Sequence, residues 1–135
     1  MKAATRRLVR NRAGNRCEYC RLLQEAEPFF RFHVEHVIAR QHQGSDHPDN
    51  LALACHHCNH YKGTNLSAVD PQTGQVVRLF DPRRQKWQRH FRLAGTRIVG
   101  RTPCGRATVS LLAMNLPDRV DLRKGQLTGG EFETT

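Results

Sequence analysis

Two Cys-x-x-Cys pairs, Cys17/Cys20 and Cys55/Cys58, supply the four thiolates that one tetrahedral zinc ion takes as donors. Each short turn presents two sulfurs at the bite of a single ion, so two turns complete the set. A zinc ribbon usually separates its pairs by about 15 to 20 residues, whereas here residues 21 to 54 intervene. Something larger than a ribbon loop is inserted. That insert and the residues just after it hold His33-Val34-Glu35-His36, Asn50 and Asn59-His60-Tyr61-Lys62. These residue types suit hydrolysis at a cation: a neutral imidazole can take a proton from water, and carboxylate and amide oxygens can ligate a hard metal. His56, His57 and His60 could each replace a cysteine, but the sulfur set is already complete. Cys104 stands apart from both pairs and is read as a small buried hydrophobe.

The elements that must position these groups follow from periodicity and punctuation. Ala4, Leu8, Val9 and Ala13 recur at helical intervals among Arg6, Arg7, Arg10 and Arg12, with Gly14 as the stop, which predicts a basic amphipathic helix. Aromatic and β-branched residues from Phe29 to Ile38 predict a strand, followed by the polar loop 40–50 and a return strand Leu51–Ala54. Strict alternation would place His33 and Glu35 on one face and His36 on the other. A bend at Glu35 is the preferred way to bring Glu35 and His36 together. Cys55 to Lys62 predicts a zinc knuckle running into a short helix that ends at Gly63. A further hairpin is expected across Asp70-Pro71-Gln72-Thr73-Gly74, then a helix start at Pro82, two short strands around Gly95, and a helix with Thr102 as cap and Pro103 at its first position. Phe29, Phe30, Phe32 and Trp87 are expected in the core.

The chain has 135 residues and a formal net charge of +10, with an isoelectric point near 10.3. A polyanionic partner is favoured, because clustered Lys and Arg gain from phosphate contacts and counterion release. No apolar run approaches the length of a bilayer span, and Met1-Lys2-Ala3-Ala4-Thr5-Arg6-Arg7 lacks a signal-peptide core. The expectation is a cytoplasmic protein with no membrane partner, whose thiols stay free for metal. One domain is expected over 1–116, with a motif core at 16–66, an extension at 67–116 and a disordered tail at 117–135.

The segments CEYC, HVEHVIARQHQGS, DNLALACHHC and NHYKG resemble, in order and spacing, the HNH endonucleases of the His-Me finger, or ββα-metal, class. The resemblance implies an α+β fold: a ββα-metal core stapled by a four-cysteine zinc site, with an N-terminal helix and a C-terminal hairpin and helix extension. By motif position it makes His36 the general base, Glu35 a metal ligand, Asn50 a loop-organising residue and Asn59 the second ligand of one catalytic divalent cation. The family's last position is often His, and here it is Asn59, with His60 beside it. His33 is a candidate third ligand. Mg²⁺ suits oxygen ligands, while an imidazole from His33 would favour Mn²⁺, Ni²⁺ or Zn²⁺.

The function so implied is metal-dependent hydrolysis of DNA phosphodiester bonds. The alternative is a non-catalytic, zinc-dependent nucleic-acid-binding module on the same fold. Arg40, Arg83 and Arg84 are candidate contacts to double-stranded DNA, mainly to its backbone. Lys62 is read either as an exposed cation at a helix end or as a phosphate contact. His42, His47, His57 and His90 are read as ordinary satisfied polar side chains.

Overall fold

A computed structural model describes residues 1–128. It is an α+β arrangement of three two-stranded antiparallel sheets, with helices packed against them. The first helix, α1 (Ala3–Ala13), ends at Gly14, whose φ of 63° is the left-handed conformation a glycine adopts cheaply. Val9 is its buried contact, while Leu8 stays outside. Two of its arginines are pins to the next layer: Arg10 donates to the Phe32 carbonyl at 2.9 Å and Arg12 to the Leu51 carbonyl at 2.8 Å.

The central sheet pairs β1 (His33–His36) with β2 (Leu51–Ala54). Register runs without interruption from His33 opposite Ala54 to His36 opposite Leu51, and the Val37 amide continues it to the Asn50 carbonyl. The strand therefore does not bend at Glu35 as expected, since the ladder holds it straight until the loop begins. It is also shorter than expected. Phe29 and Phe30 lie before it and are exposed, while Phe32 is buried. All four residues of β2 are inaccessible to solvent, and each fully buried leucine there contributes about 1.5–3 kcal/mol. The helix α2 (His56–Lys62) starts directly from β2, with Cys55 as its cap.

The extension forms as two hairpins and two helices. β3 (Ser67–Val69) pairs with β4 (Val76–Arg78), and β5 (Phe91–Ala94) with β6 (Arg97–Gly100). Asp70 closes the first turn and receives both prongs of Arg106 at 2.9 Å. Pro82 does not open a helix. It sits in a turn organised by Asp81, and the short α3 (Trp87–His90) begins later, burying Trp87. In α4 (Pro103–Leu111) the Thr102 hydroxyl accepts the Gly105 amide at 3.0 Å, as the cap-and-proline pattern requires. A Cβ at Gly105 would sit 1.9 Å from the His90 carbonyl oxygen, so this glycine lets α4 close against the end of α3.

The tail expected from 117 is corrected by α5 (Pro117–Thr128), while residues 129–135 lie outside the described residues. Its buried face is polar, made by Arg119, Arg123 and Gln126. Arg123 donates to the carbonyls of Thr96 and Met114, both at 2.7 Å, and Gln126 accepts the Leu23 amide at 3.1 Å. Guanidinium and amide groups here satisfy loop backbone, and Leu122 adds partly buried apolar packing against the core.

Candidate metal centre and active site

The two cysteine pairs come from opposite ends of the central sheet's segment and meet in space. Their four sulfurs lie within 4.8 Å of one another, all buried, and none is in a disulfide. The Cys20 and Cys55 sulfurs are 3.8 Å apart. A tetrahedron with Zn–S bonds of about 2.3 Å has edges of about 3.8 Å, so the donor set fits one zinc ion. Each knuckle also turns an amide on its own first sulfur: Cys20 to Cys17 at 3.5 Å and Cys58 to Cys55 at 3.3 Å.

A feature missed in the sequence completes this centre. Arg119 of α5, 7% exposed, places its guanidinium 3.5 Å from the Cys55 sulfur. Burial alone would lower its pKa, but the sulfurs of Cys55, Cys20 and Cys58 outweigh burial and raise it. Four thiolates around one Zn²⁺ leave net negative charge in a buried place, and a cation beside it offsets that cost. Arg119→Met keeps the aliphatic stem and removes the charge. It is expected to weaken zinc binding about 10- to 100-fold, measured by competition against a chromogenic chelator.

The loop between β1 and β2 carries the second set of groups. Asn50 holds it, accepting the Ile38 amide at 2.9 Å and donating to the carbonyls of Ile38 at 3.0 Å and Ser45 at 2.8 Å. Gly44 lets the loop fold back on itself, since a Cβ there would lie 1.6 Å from the Ile38 carbonyl oxygen. The result is that Asp46 stands against His36, its Oδ1 2.7 Å from Nε2. Arg40 donates to both oxygens of Asp46 at 2.8 Å. The bonds from His36 and Arg40 hold the Asp46 carboxyl below its usual range, so it stays ionised.

Glu35 is held by two neighbours. Its carboxylate is buried, accepts the Tyr19 hydroxyl and lies 3.2 Å from the Lys62 ammonium. Burial raises its pKa, against the opposing pull of Lys62 and Tyr19. Lys62 is itself only 2% exposed and donates to the Val37 carbonyl at 3.1 Å. It is thus neither an exposed helix-end cation nor a phosphate contact. The triad ties the knuckle, β1 and α2 into one unit.

Around this unit a cleft of about 330 Å³ is lined by His33, Glu35, His36, Arg40, Asn59 and Gly63. His33 and Asn59, from β1 and α2, share it with the base candidate His36. His33 Nε2 also lies 3.1 Å from Nδ1 of His56, and the Phe30 ring stacks on His56 with centroids 4.1 Å apart. Exposed Phe29 stands next to that stack in the chain.

Of the candidate phosphate contacts, Arg40 and Arg84 have side chains 64% and 65% exposed. Arg83 does not: its guanidinium is buried against Glu18, which also accepts the Leu53 amide at 2.8 Å. His42, His47, His57 and His90 each have a local partner, at the Thr64 carbonyl, the Asp49 amide, the Leu112 carbonyl and the Thr102 hydroxyl. Cys104 is half-buried, and burial raises its thiol pKa. Among the described residues no helix is long and apolar enough to cross a membrane.

Residues 17–65 match the family model of the HNH endonucleases. The match spans both cysteine pairs and the whole cleft, and it assigns the segment to a nuclease-type or nucleic-acid-binding class. No curated protein and no solved structure matches the chain.

Proposed function

With residues 17–65 belonging to the HNH endonuclease family, we propose that the chain is a metal-dependent DNA endonuclease in which His36 removes the proton from the attacking water. The observation that carries this reading is the Asp46–His36 contact at the rim of the cleft. An ionised carboxylate against Nε2 fixes the tautomer with hydrogen on Nε2, leaving the Nδ1 lone pair to accept a proton. As the imidazolium forms, Asp46 stabilises it and Arg40 keeps Asp46 in place. Asn50 acts at one remove by fixing the loop on which Asp46 sits. A divalent cation, Mg²⁺, Mn²⁺ or Ni²⁺, would supply positive charge beside the phosphate oxygens where negative charge develops. Asn59 and His33 are the cleft residues suited to hold it, and Glu35 serves as a structural tie. The four-cysteine set is the structural zinc site. Exposed Arg40 and Arg84, with Arg6 and Arg7 on α1, suit contacts to the phosphates of double-stranded DNA, which position the substrate without reading its sequence.

A second reading, a non-catalytic nucleic-acid-binding module, is favoured by one observation: the carboxylate at the family's ligand position is engaged with Tyr19 and Lys62. Supercoiled plasmid incubated with the zinc-loaded protein and Mg²⁺, Mn²⁺ or Ni²⁺ separates the two. Relaxed and linear products are expected. Binding of the plasmid without product under every one of these metals would establish the module instead.

A further inference from the structure

A second cavity, of about 410 Å³, is lined by Arg12, Asp49, Arg83 and Arg84 and shares no residue with the cleft of His33, His36 and Asn59. All four lining residues are charged, which disfavours an apolar occupant, and three of them carry guanidinium groups. Two distant stretches of chain supply those three: Arg12 comes from the last turn of α1, and Arg83 and Arg84 from the turn organised by Asp81.

Each guanidinium is anchored to the protein by one nitrogen. Arg12 donates from Nη2 to the Leu51 carbonyl at 2.8 Å, Arg84 from Nη1 to Asp81 at 3.1 Å, and Arg83 from Nη2 to Glu18. Nε of Arg83 is buried and finds no hydrogen-bond partner among the described residues. Burial, and after it the like charge of Arg12, hold the Arg83 pKa down to about 10. An anion between the two cations relieves that repulsion. Asp49 is the one carboxylate lining the cavity. It pulls the Arg12 pKa up against the larger effect of burial, but its side chain is 79% exposed and its Oδ2 stands 3.6 Å from the His47 imidazole.

Planar guanidinium forks match the oxygens of a phosphate and grip it through paired hydrogen bonds. The position suits a substrate contact as well. Leu51, to which Arg12 is pinned, stands opposite His36 in the ladder, and neighbouring strands lie about 4.7–4.9 Å apart. We propose that this cavity binds a phosphate of the nucleic-acid backbone between Arg12 and Arg84, with the charge of Arg83 behind them and Asp49 tempering the affinity. The strand is thereby held at a point apart from the cleft. That this grip sets which phosphate reaches His36 rests on the nuclease reading, whereas the binding itself is measured without cleavage.

The full zinc-loaded chain, with no other metal added, is titrated with a short DNA duplex over a range of salt concentrations. Arg84→Gln, at a side chain 65% exposed, is expected to lower the slope of log affinity against log salt by about one and to weaken binding about tenfold near about 0.1 M salt. Lys86→Gln removes the same charge from an exposed residue two positions on that does not line the cavity, and should weaken binding much less. Asp49→Asn should tighten it. In the wild type, the guanidinium Nε resonances of Arg12 and Arg84 should shift as duplex is added, and inorganic phosphate should shift the same resonances only at far higher concentration. Equal losses in Arg84→Gln and Lys86→Gln, or Asp49→Asn binding no tighter than wild type, overturns the assignment. Shifts with inorganic phosphate and none with duplex would make this a site for a free anion and overturn it too. Duplex held at these arginines without plasmid cleavage under any metal would sink the nuclease reading alone. Plasmid cleavage by the wild type, with duplex binding unaltered in Arg84→Gln, would sink this proposal alone.

Discussion

Cys58→Ser is expected to abolish the folded state and DNA cleavage together. Structural zinc in small peptide sites contributes about 10–16 kcal/mol of apparent binding free energy at neutral pH, whereas whole domains have net stabilities of about 5–15 kcal/mol. Losing one of four thiolates therefore cuts into a contribution as large as the whole net stability of a typical domain. The geometry makes the loss wider still. Cys55 and Cys58 flank the turn from β2 into α2, and Asn59 follows Cys58 directly. Releasing that turn frees the helix carrying His56, Asn59 and Lys62, and with Lys62 the tie to β1 through Glu35. The check is zinc content per chain together with far-ultraviolet circular dichroism and a thermal melt. A variant that keeps the wild-type melt without zinc would show that the four sulfurs hold the fold by packing alone.

His36→Ala should have the opposite profile, with fold and zinc content intact and cleavage reduced by about 10²–10⁴, the usual contribution of a positioned acid or base. The side chain is partly exposed at 19%, and its recorded polar partner is Asp46, which retains Arg40 when the imidazole is gone. No buried charge is orphaned, so the change should cost little stability. Single-turnover rates on plasmid at saturating protein measure it directly, because they remove effects on DNA affinity. Wild-type rates in the variant would take His36 out of the mechanism.

How far these sites could be read from the sequence depended on the kind of signal each residue gave. Cysteine spacing is chemically specific, and the four sulfurs do converge. Turn and cap residues act locally, which is why Gly14, the 70–74 turn and the Thr102-Pro103 start all lie where the sequence placed them. Side-chain partners across the fold were not legible. Nothing in Glu35 itself announces that Tyr19 and Lys62 will enclose it, and the unbroken ladder follows plain strand alternation with no bend at Glu35. Phe29 and Phe30 failed for a related reason: hydrophobicity argues for burial, but the loop before β1 keeps Phe29 at 84% and Phe30 at 48% exposure. Helix α5 was hidden because its inward face is arginine and glutamine. Arg119, Arg123 and Gln126 recur at helical spacing, a pattern visible in retrospect, but a polar stripe at that period is ordinarily the solvent side. Their partners are backbone carbonyls, the Leu23 amide and a thiolate cluster, which no periodicity encodes.

The ion pair between Glu35 and Lys62 also constrains how this sequence can drift. Each charge is nearly inaccessible, so neutralising either one strands the other in a medium that solvates it poorly, at a cost of about 3–5 kcal/mol. Exchanging both for apolar residues of similar volume removes the unpaired charge, and such swaps are often neutral. Positions 35 and 62 are therefore an epistatic couple: each single step crosses a valley, and the viable substitutions are the double ones. Sequences descending from this one should show the two sites co-varying, with a lysine at 62 accompanying an acid at 35 and disappearing with it.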